Sequence, residues 1–451
     1  MPSIPGPTAD METSSKLLQP LIMNEDTSPQ FSGLPYRQIA DEVQTPVWIL
    51  DRERLSANID AFKSAQAGFA ASETRTFYSL KTNYLPTVLE TVRRAGWGAD
   101  VVSSYELELA HRAGFSGTDI VYNGPFKTLP DLVRCAVEGI LVNLDSPADA
   151  RTASEAARVS GTTLEVGIRL TSPRSPYDGS LRRHQSKFGM LPTSADLDEV
   201  VGIIDMSNLR LVGVHCHLGS QIVSEEPYLG ALKPVLDAVS TLAASHPIRT
   251  VNIGGGFGVP GISRVAVPMQ DPSRPGEAEA DFTFVAPDLR SWFESLSASW
   301  PTATDSSVEL ACEPGRVIVS DAMTILCTVV SIKQGASGKI VIVDGGVNLL
   351  PTAGPAESHA ITFLGREVGY ERAMVGGPLC YEGDVYSFDQ LIPSDLAVGD
   401  LVLIHDAGAY SVTRSTSFNQ LRAPVVEVSP NGYRVARRRE TVMDLMIFDI
   451  E

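Results

Sequence analysis

Short apolar, β-branched runs recur along this chain from about residue 75, and each ends in a polar or glycine cluster. The runs are TFYSLK (76–81), GADVVSS (98–104), DIVYNG (119–124), GILVNLDS (139–146), LEVGIRL (164–170), LRLVGVHCHLG (209–219), RTVNIGGGFG (249–258) and SVELACEPG (307–315). Their length and composition mark strands. Between them lie amphipathic stretches such as LPTVLETVRRAG and LPDLVRCAVEG, spaced as helices. Eight such units predict an α/β fold, a (β/α)8 TIM-like barrel. A doubly wound open sheet is the competing arrangement, and eight units favour closure.

After residue 321 the period changes. ILCTVVSIKQ, KIVIVDGG, DLVLIHDAGAY and APVVEVSPNGYRVARRR read as strands separated by turns, with few helices. They predict a C-terminal antiparallel β-domain, a β-barrel or sandwich. PVWIL (46–50) is expected to return to it. The expected organisation is a flexible tail over 1–34, a strand over 35–50 joining the β-domain, a barrel over 51–320 and the β-domain over 321–451. The first 34 residues are rich in Pro, Ser and Thr without periodicity, which suits a mobile tail or an arm that docks on a partner.

Composition adds limits. With 451 residues, 43% hydrophobic and 20% charged, the chain fits two ordinary globular domains. No apolar run nears the roughly 20 residues needed to span a bilayer, and the N-terminus lacks a signal-peptide pattern. A cytoplasmic protein without membrane attachment is expected. The net charge of -18 disfavours nucleic acid and anionic membranes, so any anionic ligand needs a locally built site. Cys135, Cys216, Cys312, Cys327 and Cys380 are scattered, which argues against a disulfide framework or zinc spacing.

On a barrel, chemistry gathers at the C-terminal strand ends. Lys81 closes an apolar run, and burial would lower its pKa and make it a Schiff-base nucleophile; a strand-capping lysine is the plain alternative. Gly254, Gly255 and Gly256 could turn successive N–H groups toward a phosphate, or form only a tight turn. Glu313 and Arg316 in CEPGR could be a surface ion pair, or could serve a ring nitrogen and a phosphate. His215 and His217 share one face of a strand, with no third ligand near to make a metal site. One of them suits stacking on a flat ring. An aldehyde, a phosphate and a pyridinium together describe pyridoxal 5'-phosphate.

At these residues the sequence resembles the barrel-type (fold type III) pyridoxal-phosphate decarboxylases of diaminopimelate, ornithine and arginine. FYSLKTN, GADVVSSYELELA, QSKFGM, GVHCHLGSQ, NIGGGFG, ACEPGR, VDGGVN, GGPLCYEGD and DAGAYSVTRSTSFN carry the likeness, in family order across about 45–450. The resemblance implies that Lys81 forms the internal aldimine with Asp100 nearby. His217 would stack on the ring, and Glu313 would pair with its nitrogen. Ser220, Gly254, Gly255, Gly256, Arg316 and Tyr410 would hold the phosphate. It also implies a homodimer in which the partner subunit lends the Cys380 of its own chain, to reprotonate the α-carbon.

Two markers of the far end of the substrate depart from the family. Tyr381 follows the cysteine where an acid is common, with Glu382 one place later. LLPTAGPAESHA follows VDGGVN without the arginine and tyrosine expected in diaminopimelate decarboxylases. A modified amino acid or conjugate is therefore the expected substrate, as in siderophore or natural-product assembly, and a carrier protein could present it. Tyr381, Glu382, Arg182 and Arg183, the last two beside His184, are the candidate contacts. Diaminopimelate decarboxylation in lysine biosynthesis is the alternative. A non-catalytic regulatory homologue and an amino-acid racemase stand behind both.

Overall fold

Each predicted barrel run contains or overlaps one strand of a closed parallel ring. The ring order is Glu309–Cys312, Thr74–Ser79, Gly98–Val101, Ile120–Tyr122, Leu141–Leu144, Leu164–Leu170, Leu209–Cys216 and Thr250–Asn252. Glu309–Cys312 pairs in parallel with both Thr74–Ser79 and Thr250–Asn252, which closes the ring and removes the open-sheet alternative. The computed structural model describes residues 35–177, 186–260, 262–265, 280–281, 287–300, 308–336, 338–353, 357–366 and 369–449.

Helices cover the outside. Ser103, Thr128, Ser146 and Ser194 each cap a following helix by accepting a backbone N–H from within its first turn. Such a cap is worth about 1 kcal/mol, and it fixes where a strand-end loop stops. The loops that carry the polar residues are therefore short and defined.

Strand alternation then sorts residues between the two faces. Phe77, Val121 and Ala311 pack together with Leu141 as a separate apolar cluster. Two residues further along the same strands, on the same face, stand Ser79, Asn123, Glu313 and Asn143. One turn of the pleat thus replaces an apolar layer with a polar one.

The second sheet has nine strands. Its main path runs Val385–Pro393, Tyr370–Gly376, Gly338–Val343, Met323–Gly335, Val47–Asp51, Val425–Ser429 and Gly432–Arg437, with Leu401–Ile404 bridging Met323–Gly335 and Ile361–Phe363. Most pairings are antiparallel, but Val47–Asp51 runs parallel to Val425–Ser429 and Gly338–Val343 parallel to Tyr370–Gly376. The segment 35–50 is not strand throughout: Tyr36–Val43 is a helix. Its Tyr36, Ile39, Ala40 and Val43 recur at helical spacing and pack on Val47, Leu326 and Val426. The tail 1–34 lies outside the described residues. Among those residues, no helix is long and apolar enough to cross a membrane.

Candidate active site

The polar layer forms one hydrogen-bonded network. Lys81 lies in a single 3-10 turn that follows Thr74–Ser79. Its Nζ donates to Asp100 Oδ2 at 2.9 Å, and Ser79 Oγ donates to the same oxygen at 2.7 Å. Asn123 Nδ2 donates to Asp100 Oδ1 and to Glu313 Oε1, both at 2.7 Å. Asn143 Nδ2 steadies Asn123 by donating to its Oδ1 at 2.7 Å. Asn252 Nδ2 also donates to Glu313 Oε1 at 2.7 Å, and His215 Nε2 stands 3.1 Å from Oε2. All of these except Lys81 are buried, while the Lys81 side chain keeps 35% of its exposure.

Electrostatics assign each group a charge. Desolvation works to lower the Lys81 pKa, but the Asp100, Tyr410 and Glu313 charges outweigh it and raise the pKa above the ordinary value. The sequence expectation of a lowered pKa is therefore overturned: a contacting carboxylate outweighs partial burial. Burial pushes Glu313 up, yet His215, Lys81 and Asn123 hold it well below the usual carboxylate range. Burial, with Lys81 and Arg169 nearby, lowers His217 to about 3, so its ring is neutral.

A carboxylate has about four lone-pair sites. Glu313 has three occupied, by Asn123, Asn252 and His215, which leaves one for a donor entering from the site. That spare acceptor, a reachable lysine and a neutral histidine fit the pyridine ring and aldehyde of pyridoxal phosphate.

The glycine loop behaves differently from the sequence expectation. A Cβ at Gly254 would stand 2.4 Å from Cys216 O, at Gly255 2.2 Å from Glu313 O, and at Gly256 2.3 Å from Gly219 O. The glycines thus let three strand-end loops converge. Two of their N–H groups are already used: Gly254 donates to Asn252 Oδ1 and Gly255 to His217 Nδ1. Ser220 exchanges backbone bonds with the Tyr177 hydroxyl. Arg316, expected at the phosphate, gives both terminal nitrogens to Glu357. Tyr410 has φ 57, a left-handed conformation that costs a bulky residue on the order of 1–3 kcal/mol and clusters at functional sites. Its N–H donates to Thr82 O, next to Lys81.

Cys380 is the exposed member of the five free cysteines. Its loop is pinned by Asp384, which accepts from Val347 N and Leu379 N at 2.7 Å each, and by Asn419 Oδ1, which accepts from Cys380 N at 3.1 Å. Tyr381 is 57% exposed and meets Phe418 edge-on. Glu382 is exposed beside it. These residues face solvent in the single chain and make no hydrogen bond to the Lys81 network among the described residues. Arg182, Arg183 and His184 lie outside those residues.

The sequence reading gave no role to Asn143, Asn252 or Glu106, and placed His215 only on the same strand face as His217. The signal was present: asparagine is depleted in strands, yet YNG, VNL and VNI each carry one at the same strand-end level. Glu106 is buried and accepts from Val102 N at 2.9 Å. Burial, with the Asp100 charge adding to it, pushes Glu106 up to about 7, against the Val102 N–H. An unfolded glutamate titrates near about 4.3. Between these values the folded state holds a proton that the unfolded state has lost, so stability should fall as pH rises through this window. Thermal midpoints against pH should show that slope, and Glu106→Gln should flatten it. An unchanged slope in the variant would rule Glu106 out as its source.

Residues 55–320 match the family described as "Pyridoxal-dependent decarboxylase, pyridoxal binding domain". The chain is 29% identical to the diaminopimelate decarboxylase of Archaeoglobus fulgidus over 422 residues, 92% of this chain and 95% of that one. It is 30% identical to that of Actinosynnema pretiosum over 421 residues, covering 92% and 91%. The crystal structure of diaminopimelate decarboxylase from Methanocaldococcus jannaschii in complex with L-lysine has a TM-score of 0.81 at 26% identity, covering 93% and 95%. Because the family match spans more than half of the chain, this protein belongs to the pyridoxal-dependent decarboxylases and is an amino-acid carboxy-lyase that uses pyridoxal phosphate.

Proposed function

We propose that this enzyme removes an α-carboxylate from diaminopimelate, yielding lysine. The observation that carries the chemistry is the coupled pair of carboxylates: Asp100 on Lys81, and Glu313 with one acceptor site to spare. Likeness to diaminopimelate decarboxylases over nine-tenths of the chain supports the substrate. The expectation of a conjugated or carrier-bound substrate draws no support from these relatives.

Bound pyridoxal phosphate supplies an electron sink for the pair left at the substrate α-carbon when carbon dioxide departs. In this proposal the barrel, 51–320, is the cofactor domain and 321–451 the β-domain. Lys81 Nζ would hold the cofactor, with Asp100 beside it. Glu313 would accept from the ring nitrogen through its remaining acceptor site, and neutral His217 would face the ring. Ser220, Gly254, Gly255, Gly256 and Tyr410 would lie around the phosphate, with the Gly254 and Gly255 N–H groups spent on Asn252 and His217 rather than on it. Cys380 Sγ, lent by a partner subunit, delivers a proton to the α-carbon. The exposed Tyr381 and Phe418 beside it support burial of this loop in a homodimer.

A second reading, a different far-end group on the substrate, is favoured by Tyr381 at the usual acid position and by LLPTA (349–353) lacking arginine and tyrosine. Incubation of the holoenzyme with diaminopimelate should yield lysine and carbon dioxide. Turnover of another amino acid or a conjugate, with none of diaminopimelate, would establish the second reading instead.

A further inference from the structure

Gln221 follows Ser220 in the loop that leaves the strand Leu209–Cys216. Its backbone is left-handed, with φ 57, a conformation that costs an L-residue on the order of 1–2 kcal/mol. Such strain persists where the surroundings over-determine it, and here they do. The residue is buried, and both ends of its amide are engaged. Gln221 Nε2 donates to Val259 O at 2.6 Å and to Ile262 O at 3.0 Å, while Oε1 accepts from Val259 N at 3.1 Å. Beside it, Ile222 N donates to Gly256 O and Gly258 N to Ile222 O, both at 2.9 Å. Side-chain and backbone bonds together fasten residues 221–222 to the chain that leaves the glycine loop.

Backbone donors are left over where this clamp sits. Gly254 and Gly255 direct their N–H groups to Asn252 and His217. Among the described residues, the N–H groups of Gly256 and Phe257 have no acceptor, although Phe257 is buried. A buried N–H without a partner is rare in a native fold, and two in succession suit an anion. We propose that Gln221 is a positioning residue for the cofactor phosphate: it holds the Gly256–Phe257 segment against the Ser220 loop, so that these two donors stand ready before the cofactor arrives. Its own amide N–H groups are both occupied, so it acts through the loop and not by touching the phosphate. The inference rests on the proposed placement of the phosphate beside Ser220 and the glycines.

Binding of pyridoxal 5'-phosphate and of pyridoxal to the full-length protein, stripped of cofactor, separates the phosphate from the ring. Both ligands carry the aldehyde that reaches Lys81, so wild type should favour the phosphate ester strongly. Gln221→Gly accepts the left-handed backbone without strain and removes the amide. It should narrow that preference by about tenfold or more, the scale of a hydrogen bond to a charged group, with pyridoxal affinity little changed. Gln221→Asn also tolerates the backbone, but its shorter side chain cannot reach Val259 and Ile262 together, and it should narrow the preference in the same direction. It carries the test alone if the glycine variant does not fold. Equal weakening of both ligands would mark a merely structural clamp and overturn the proposal, as would an unchanged preference. Ser220→Ala separates the inference from its premise. A preference narrowed there but intact in both Gln221 variants refutes the clamp alone. A preference intact in all three removes the phosphate from this loop, and the inference with it. No amino-acid substrate enters the measurement, so the outcome is independent of whether diaminopimelate is turned over.

Discussion

Replacing Lys81 with alanine should abolish the visible absorbance of bound cofactor and lower decarboxylation by on the order of 10⁴-fold or more, the scale seen when a covalent nucleophile is removed. The geometry explains why no neighbour can substitute. Lys127, a buried lysine of this barrel, is tied to Asp149 at 2.6 Å and to Gly124 O at 2.7 Å, with its side chain fully enclosed. Lys81 keeps a third of its side-chain exposure and faces the polar layer. Its contact with Asp100 holds the ammonium in place and costs it a free lone pair until a ligand rearranges the pair. The fold should survive, because the Lys81 side chain packs only partly and Asp100 retains Ser79 and Asn123 as donors. A Lys81→Ala variant with wild-type absorbance and turnover would place the chemistry elsewhere.

Glu313→Gln is the second large effect. The carboxylate meets two asparagine amides and a histidine, and in the proposed function its remaining acceptor site serves the ring nitrogen. A glutamine of the same shape presents an NH2 group to partners that are already donors. With its oxygen on the two asparagines, the glutamine sets its NH2 against His215 Nε2, which must change tautomer to accept it or leave a donor–donor contact costing about 1–3 kcal/mol, and the charge opposite the ring nitrogen is lost. Decarboxylation should fall by about 10²–10³-fold, as when a preorganised electrostatic contact is removed, with cofactor still attached to Lys81. Activity within a few-fold of wild type would leave Glu313 a structural residue.

Much of this site was legible because barrel strands place their C-terminal ends on one rim. Lys81, His217 and Glu313 could be read from where apolar runs stop. What stayed hidden depends on register between distant strands. The bond from Asn123 to Glu313 joins residues 190 apart, and it turns three apparent strand-end markers into a charge-setting layer. The Arg316–Glu357 pair needs a sheet formed after the glycine loop, which periodicity cannot show. The sign of the Lys81 shift departs from the sequence expectation because that expectation weighed burial alone, although the resemblance already placed Asp100 nearby. The helix Tyr36–Val43 was overlooked because the neighbouring PVWIL run dominated the reading of that segment.

Tyr381 shifted in meaning as well. In sequence it stood in for a missing pocket acid. In the single chain it lies on the surface against Phe418.

Reduction of the holoenzyme with borohydride, followed by peptide mapping, locates the lysine that carries the cofactor. The pyridoxyl label should appear on the peptide containing Lys81, within FYSLKTN. Label on Lys127 or on any other lysine, with Lys81 unmodified, would contradict the site described.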